Sequence, residues 1–127
     1  MIQTFLVFVG GGIGAAARHG VNLGAARLFG IGFPWGTIIV NIAGSIVMGL
    51  LAAFFAFRLD WAWSQHLRLF LTTGILGGFT TFSAFSLDTA VLWERGDAGL
   101  TLVYVAASVL LSIVGLFLGL WLVRTFA

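Results

Sequence analysis

The side chains in this sequence that could do chemistry are few, and most sit in runs free of charge. Asn41 stands inside an apolar stretch, with Thr37 one helical turn before it. An amide surrounded by hydrocarbon must find partners, because lipid offers none. It acts either as glue between helices or as a donor that replaces water around a permeating solute. The most unusual run is Gly74-Ile75-Leu76-Gly77-Gly78-Phe79-Thr80-Thr81-Phe82-Ser83-Ala84-Phe85-Ser86. Glycines followed by β-branched threonines predict an interrupted helix. Carbonyls freed at membrane depth survive only when buried in protein or facing a polar cavity, and such oxygens suit a hard cation. Phe82 and Phe85 are three apart and share a helix face. They either pack against lipid and protein or present their positive ring edges to a small anion, with Ser83 and Ser86 adding hydroxyls. Tyr104, Ser108 and Ser112 recur every four residues. That stripe either bonds back to preceding carbonyls or lines a polar track.

Charged groups inside apolar runs are fewer still. Arg18 costs about 3 kcal/mol at the centre of a membrane helix, so it either snorkels to an interface or lines an electropositive vestibule that attracts anions. His19 beside it reads as an interfacial residue. Asp88, near the end of its run, meets water or an arginine. No nucleophile–base pair is present, His19 and His66 stand alone, and there is no cysteine, which argues against an enzyme. Gly10, Gly12 and Ala15 imitate a dinucleotide-binding loop, but that chemistry needs an acid about 20 residues later. The first acid in the chain is Asp60, so the match is an accident.

The elements that position these groups follow from composition. Of 127 residues, 61% are hydrophobic and 8% charged, against about 25% charged in a soluble domain. The chain reads as one integral membrane domain over residues 1–127. A helix needs about 20 apolar residues to cross the hydrocarbon, and four spans fit: 3–28, 34–57, 66–92 and 99–124. Pro34 suits the first turn of the second. Trp35, Trp61, Trp63, Trp93 and Trp121 fall near span ends or in the middle loop, as an aromatic belt requires. The pairs Gly10/Gly14, Gly20/Gly24, Gly74/Gly78 and Gly115/Gly119 are small-xxx-small steps that let helix backbones approach closely. The N-terminus has no basic region ahead of its apolar run, so a cleaved signal peptide is not expected.

Orientation is left open by charge. Four spans put both termini on one side with Arg58, Arg68 and Arg124, and leave Arg18, Arg27 and Arg95 for the other. Arginine excess sets topology, and three against three sets none. Copies inserting both ways up and pairing antiparallel would account for this balance, as would topology imposed by a partner or by the first helix. Six scattered arginines without a lysine make no nucleic-acid footprint.

At Asn41 and the Gly77-Gly78-Phe79-Thr80-Thr81-Phe82-Ser83-Ala84-Phe85-Ser86 run, the sequence resembles the Fluc (CrcB) family of fluoride channels. The resemblance extends over the whole chain, through the glycine-rich first span with Arg18, Pro34-Trp35-Gly36-Thr37 ahead of Asn41, and the hydroxyl stripe. It implies an all-α fold of four transmembrane helices with a break in the third, an antiparallel dual-topology homodimer, and two pores that passively release cytoplasmic fluoride across the cell membrane. By the same resemblance Asn41 donates a hydrogen bond to fluoride, and Phe82 and Phe85 form edge-on aromatic boxes. Thr37 and Ser83 belong to that pore, while Tyr104, Ser108 and Ser112 line its polar track. Arg18 serves the vestibule, and the carbonyls of Gly77 and Thr80 from both subunits hold a structural sodium ion. Ala84, Asp88 and His19 depart from the residues common at those places, which are threonine, glutamate and an aromatic.

Two other readings compete. A proton-coupled, dual-topology exporter of cationic compounds needs a membrane-embedded carboxylate early in the chain, and none precedes Asp60. A structural membrane subunit would leave the phenylalanine and hydroxyl stripes as packing.

Overall fold

The protein is described from a computed structural model, which covers residues 1–56 and 63–126. Arg58, Asp60 and Trp61, which enter the charge and tryptophan patterns above, lie outside the described residues. Helix α1 spans Ile2–Phe29 and α2 spans Trp35–Ala56. The third stretch is composite: α3 (Ser64–Leu69), a π-helical segment (Phe70–Leu76), α4 (Gly77–Phe79) and α5 (Phe82–Glu94). Helix α6 spans Ala98–Phe126. The turns are set by composition. Gly30 (φ 79°) ends α1 and Gly96 (φ 80°) turns the chain between α5 and α6, both in the left-handed region that glycine tolerates. Pro34 stands one residue before the first helical residue of α2, and its carbonyl accepts from the Ile38 amide.

Three elements are long and apolar enough to cross a membrane: Trp35–Ala56, Ser64–Glu94 and Ala98–Phe126. Helix α1, at 28 residues, is about 42 Å long at 1.5 Å per residue. Gln3, Arg18, His19 and its glycines dilute its apolar character, and it is not among the three.

Close approach of backbones organises the bundle. A Cβ on Gly10 would lie 2.9 Å from the Gly74 Cα, one on Gly14 would overlap the Ile75 carbonyl, and one on Gly78 would overlap the Gly11 carbonyl. Helix α1 therefore runs parallel to the π-helical segment and α4 with almost nothing between them. Gly49 and Gly119 do the same for α2 and α6, which also run parallel: Gly49 faces Leu116, and Gly119 faces Ile46. The Gly20/Gly24 pair differs, having no atom near either position within the chain. In this stretch α1 meets α2 through Asn22, which lies against Gly36, and the two glycines do not face that contact.

The buried centre is small. Ile38, Leu92 and Tyr104 form it, with Phe33, Ile42, Phe85 and Ala107 packed around them. Most large apolar side chains point outward, as Phe8 (78% exposed) and Leu102 (70%) illustrate. In water this surface would aggregate; in hydrocarbon it is satisfied. The accessible area, 7798 Å², exceeds the roughly 6,500 Å² expected of a compact monomer of this mass, as befits a thin, open bundle.

Adding a methyl group at a crossing should separate the helices. Gly14→Ala is expected to lower stability by about 1–3 kcal/mol, the usual cost of overpacking, while Gly12→Ala, which meets nothing within 4 Å, leaves it unchanged. Thermal unfolding in detergent, followed by loss of the monodisperse species, distinguishes the two.

Candidate functional site

The site begins where the third stretch stops being helical. Thr80 (φ −84°, ψ 158°) and Thr81 (φ −153°, ψ 122°) are extended, and α5 restarts at Phe82. Two consecutive extended residues strip the backbone of helical partners, and no water is available at this depth. Asn41 of α2 replaces them. Its Oδ1 accepts from the Thr81 amide at 2.8 Å, and its Nδ2 donates to the Thr81 carbonyl at 3.0 Å. The amide thus serves as a two-point clamp across 40 residues of sequence, and one Nδ2 hydrogen is left over. Gly44, one turn further along α2, leaves space for the Thr80 methyl, which a Cβ there would overlap.

Threonine side chains finish both ends of the break. The Thr80 hydroxyl and amide both donate to the Leu76 carbonyl at 3.0 Å, closing α4. The Thr81 hydroxyl accepts from the Ala84 amide at 3.1 Å, an N-cap of the ordinary kind. In an unbroken helix the Thr81 amide would bond to the Gly77 carbonyl and the Ala84 amide to the Thr80 carbonyl. Both amides are engaged elsewhere. The Gly77 and Thr80 carbonyls are therefore among the four, from Gly77 to Thr80, that lose their helical partners at the break.

Beside the break lies a groove of 320 Å³, open on one side, whose lining includes Asn41, Thr80, Thr81, Phe82, Phe85, Ser108 and Ser112. Phe82 and Phe85 are adjacent, ring centroids 5.5 Å apart and tilted by 49°. Phe85 rests on the ring of Tyr104 at 5.4 Å, whereas Phe82 is 78% exposed. The hydroxyls of Ser108 and Ser112 are buried without a hydrogen-bond partner. Nearby serines and threonines behave otherwise: Ser86, Thr89 and Thr101 each donate to the carbonyl four residues back. An unpaired buried hydroxyl costs about 1–3 kcal/mol, so two in one groove mark a place built to hydrogen-bond something else.

Other residues singled out from sequence fall outside this groove. Tyr104 is fully buried and donates to Asp88 Oδ2 at 3.0 Å, so its hydroxyl proton is given to α5 and not to the groove. Thr37 and Asp88 line a second cavity of 330 Å³ that also holds Asn22 and Arg95. Arg95 donates to the Gly32 carbonyl at 3.1 Å. The Ser83 hydroxyl lies 3.3 Å from that of Thr81. Arg18 is half-buried and its Nε has no partner; it lines neither cavity. The sequence reading missed the Asn41–Thr81 clamp and the Tyr104–Asp88 bond. The first could have been sought, because a predicted break needs a polar side chain from another span. The second joins two elements whose facing sides sequence does not reveal.

A family model described as CrcB-like protein, Camphor Resistance (CrcB), matches residues 5–120. The chain belongs to the CrcB family. Among its relatives in that family, "Fluoride-specific ion channel FluC 2" of Nitrobacter hamburgensis is 60% identical over 97% of this chain and 98% of its own length. "Fluoride-specific ion channel FluC" of Rhodopseudomonas palustris (strain BisB5) is 58% identical over 94% of both. The protein of that same name from Mesorhizobium japonicum is 56% identical over 98% of both.

In this CrcB chain the clamp should dominate the stability of the break. Asn41→Leu leaves the Thr81 amide and carbonyl unpaired in an apolar groove and is expected to cost about 2–4 kcal/mol. Ser83→Ala, at an exposed position, should cost less than about 0.5 kcal/mol. Unfolding in detergent measures both.

Proposed function

We propose that this protein is a fluoride-specific ion channel that lets cytoplasmic fluoride leave the cell passively across the cell membrane and so limits its toxicity. The observation that carries the reading is the groove at the helix break, where Asn41, Phe82 and Phe85 meet the unpartnered hydroxyls of Ser108 and Ser112. That this groove occurs in a CrcB chain whose relatives bear the name fluoride-specific ion channel ties it to one ion.

The chemistry suits fluoride. A small, strongly hydrated anion enters a dry path only where fixed donors replace its water, and leaves only if no single site holds it too tightly. Two serine hydroxyls, the remaining Nδ2 hydrogen of Asn41 and aromatic ring edges donate partial positive charge without a full countercharge to trap the ion. No bond is made or broken, so the function is transport and not catalysis. Thr37, Ser83 and Tyr104 extend this path on either side of the groove, with Tyr104 donating to the ion when it releases Asp88. Arg18 gathers anions at the vestibule.

In this reading α1 crosses the membrane as a fourth span, its Arg18 facing the vestibule, and two copies pair antiparallel. The open side of the groove and the 78% exposure of Phe82 support pairing, because a lone chain leaves the path unwalled. The balance of three arginines against three supports insertion both ways up. The carbonyls of Gly77 and Thr80 would hold a structural sodium ion between the copies, and their loss of helical partners fits that role: hard cations take carbonyl oxygens. Bound there, sodium supplies positive charge that neutralises those dipoles.

Fluoride-electrode recording of efflux from proteoliposomes, with valinomycin carrying the countercharge, tests the reading. Fluoride release without chloride release is expected. Phe82→Ile and Phe85→Ile should each slow fluoride by about tenfold, the loss of roughly 1.4 kcal/mol of ring-edge interaction, while assembly is unchanged. Chloride released as fast as fluoride, or no release from folded protein, would reject it.

A further inference from the structure

We infer that the chain carries a binding site for one anionic phospholipid, built on Arg68 at the end of the bundle where α2 finishes and α3 begins. A groove of 430 Å³ opens there between the two elements. Its walls are apolar, chiefly Met48, Ala52, Phe55 and Leu69, and Arg68, Thr72 and Thr73 supply its polar groups. Phe55 is buried and Ala52 exposed, so the groove has a firm back and an open front.

Depth matches a lipid. Arg68 comes four residues after the start of α3 at Ser64, about 6 Å along the axis. Trp63, 55% exposed, precedes it at the level where tryptophans mark headgroups. Met48 lies eight residues before the end of α2 at Ala56, about 12 Å deeper. The groove therefore runs from the headgroup level into hydrocarbon, with cation above and apolar wall below. A phosphate at Arg68 puts an acyl chain along Ala52 and Met48.

Charge selects an anionic headgroup. Among the described residues the one side-chain partner of Arg68 is Gln65, whose Oε1 accepts from Nη2 at 3.0 Å. That bond steadies the guanidinium and leaves other N–H donors for a phosphate, which a guanidinium binds in a two-pronged fashion. Because α2 and α6 run parallel, Arg124 near the end of α6 shares this end of the molecule. The described acids, Asp88, Glu94 and Asp97, lie toward the other end. Thr73 adds a polar contact one turn below Arg68. Thr72 spends its hydroxyl on the Arg68 carbonyl, but Thr73 has no such bond and is exposed on the groove wall. It stands where a glycerol ester carbonyl would follow the phosphate.

Native mass spectrometry of the full-length protein in a neutral detergent, with phosphatidylglycerol or phosphatidylcholine added, tests the site. Phosphatidylglycerol should be retained about fivefold over phosphatidylcholine, the preference expected of one cationic residue at the headgroup level. Arg68→Gln should abolish that preference, and Arg68→Lys and Arg124→Gln should keep it. Ala52→Trp fills the open front while leaving the guanidinium in place, and should weaken retention of both lipids. Equal retention of the two lipids, or an undiminished preference in Arg68→Gln, overturns the proposal. Displacement by millimolar inorganic phosphate would make this a soluble-anion site and overturns it equally, as would a groove closed by a second copy, seen as dimers that retain neither lipid. Fluoride efflux is not a readout here, so failure of this site and failure of the channel reading are separate results.

Discussion

A helix that breaks inside a bilayer leaves amides and carbonyls that neither water nor lipid can satisfy, and the rest of this structure is arranged around that debt. Asn41 meets it with one side chain, accepting from the Thr81 amide and donating to the Thr81 carbonyl. The clamp demands that α2 and the third stretch lie close, which Gly44 permits by leaving space for Thr80. Helix α1 can press against the other side of the break because Gly10 meets Gly74, Gly14 meets Ile75 and Gly78 meets Gly11 almost backbone to backbone. With the extended segment held on both sides, Thr81 caps α5, and α5 carries Phe82 and Phe85 to the groove where Ser108 and Ser112 wait unpaired. Each step rests on the one before it.

The same break releases backbone oxygens. The extended backbone that Asn41 holds at Thr81 leaves the carbonyls from Gly77 to Thr80 without helical partners, those of Gly77 and Thr80 because the Thr81 and Ala84 amides are engaged elsewhere. A broken helix thus offers two kinds of polar surface a few residues apart: carbonyl oxygens on one side, and hydroxyls with ring edges on the other. Oxygen ligands suit cations and donors suit anions. In the proposed channel the two serve a structural sodium ion and a moving fluoride ion, without any ionised side chain in the groove. Neutral donors matter because a buried countercharge would hold the anion instead of passing it on.

Much of this was legible in the sequence. Charge-free runs and their short connections placed the helices to within a few residues, since the bilayer imposes length and polarity more rigidly than a soluble core does. The glycine-threonine run announced the break, and helical spacing alone pairs Phe82 with Phe85 and Ser108 with Ser112. What stayed hidden depends on which helix faces which. Asn41 reads in sequence either as glue between helices or as a donor to a solute, and most of its hydrogen-bonding capacity goes to Thr81, a partner that spacing does not name. Tyr104 belongs to the serine stripe by spacing, but its hydroxyl proton goes to Asp88 of α5, a partner on another helix. The π-helical segment at Phe70–Leu76 has no mark in the residues themselves. Gly20 and Gly24 look like a crossing and have no partner among the described residues, since the pattern states that a close approach is possible and not that a neighbour faces it.

The central claim is that a side chain from another helix, and not the local backbone, holds the break in place. Amide hydrogen exchange of the wild-type protein in lipid nanodiscs, resolved at Thr81, tests it most directly. The account predicts that the Thr81 amide, though extended, is protected to a degree comparable with the helical amides of α5. Exchange at the rate of an open, unbonded amide would contradict it, because the Asn41 clamp would then not be made.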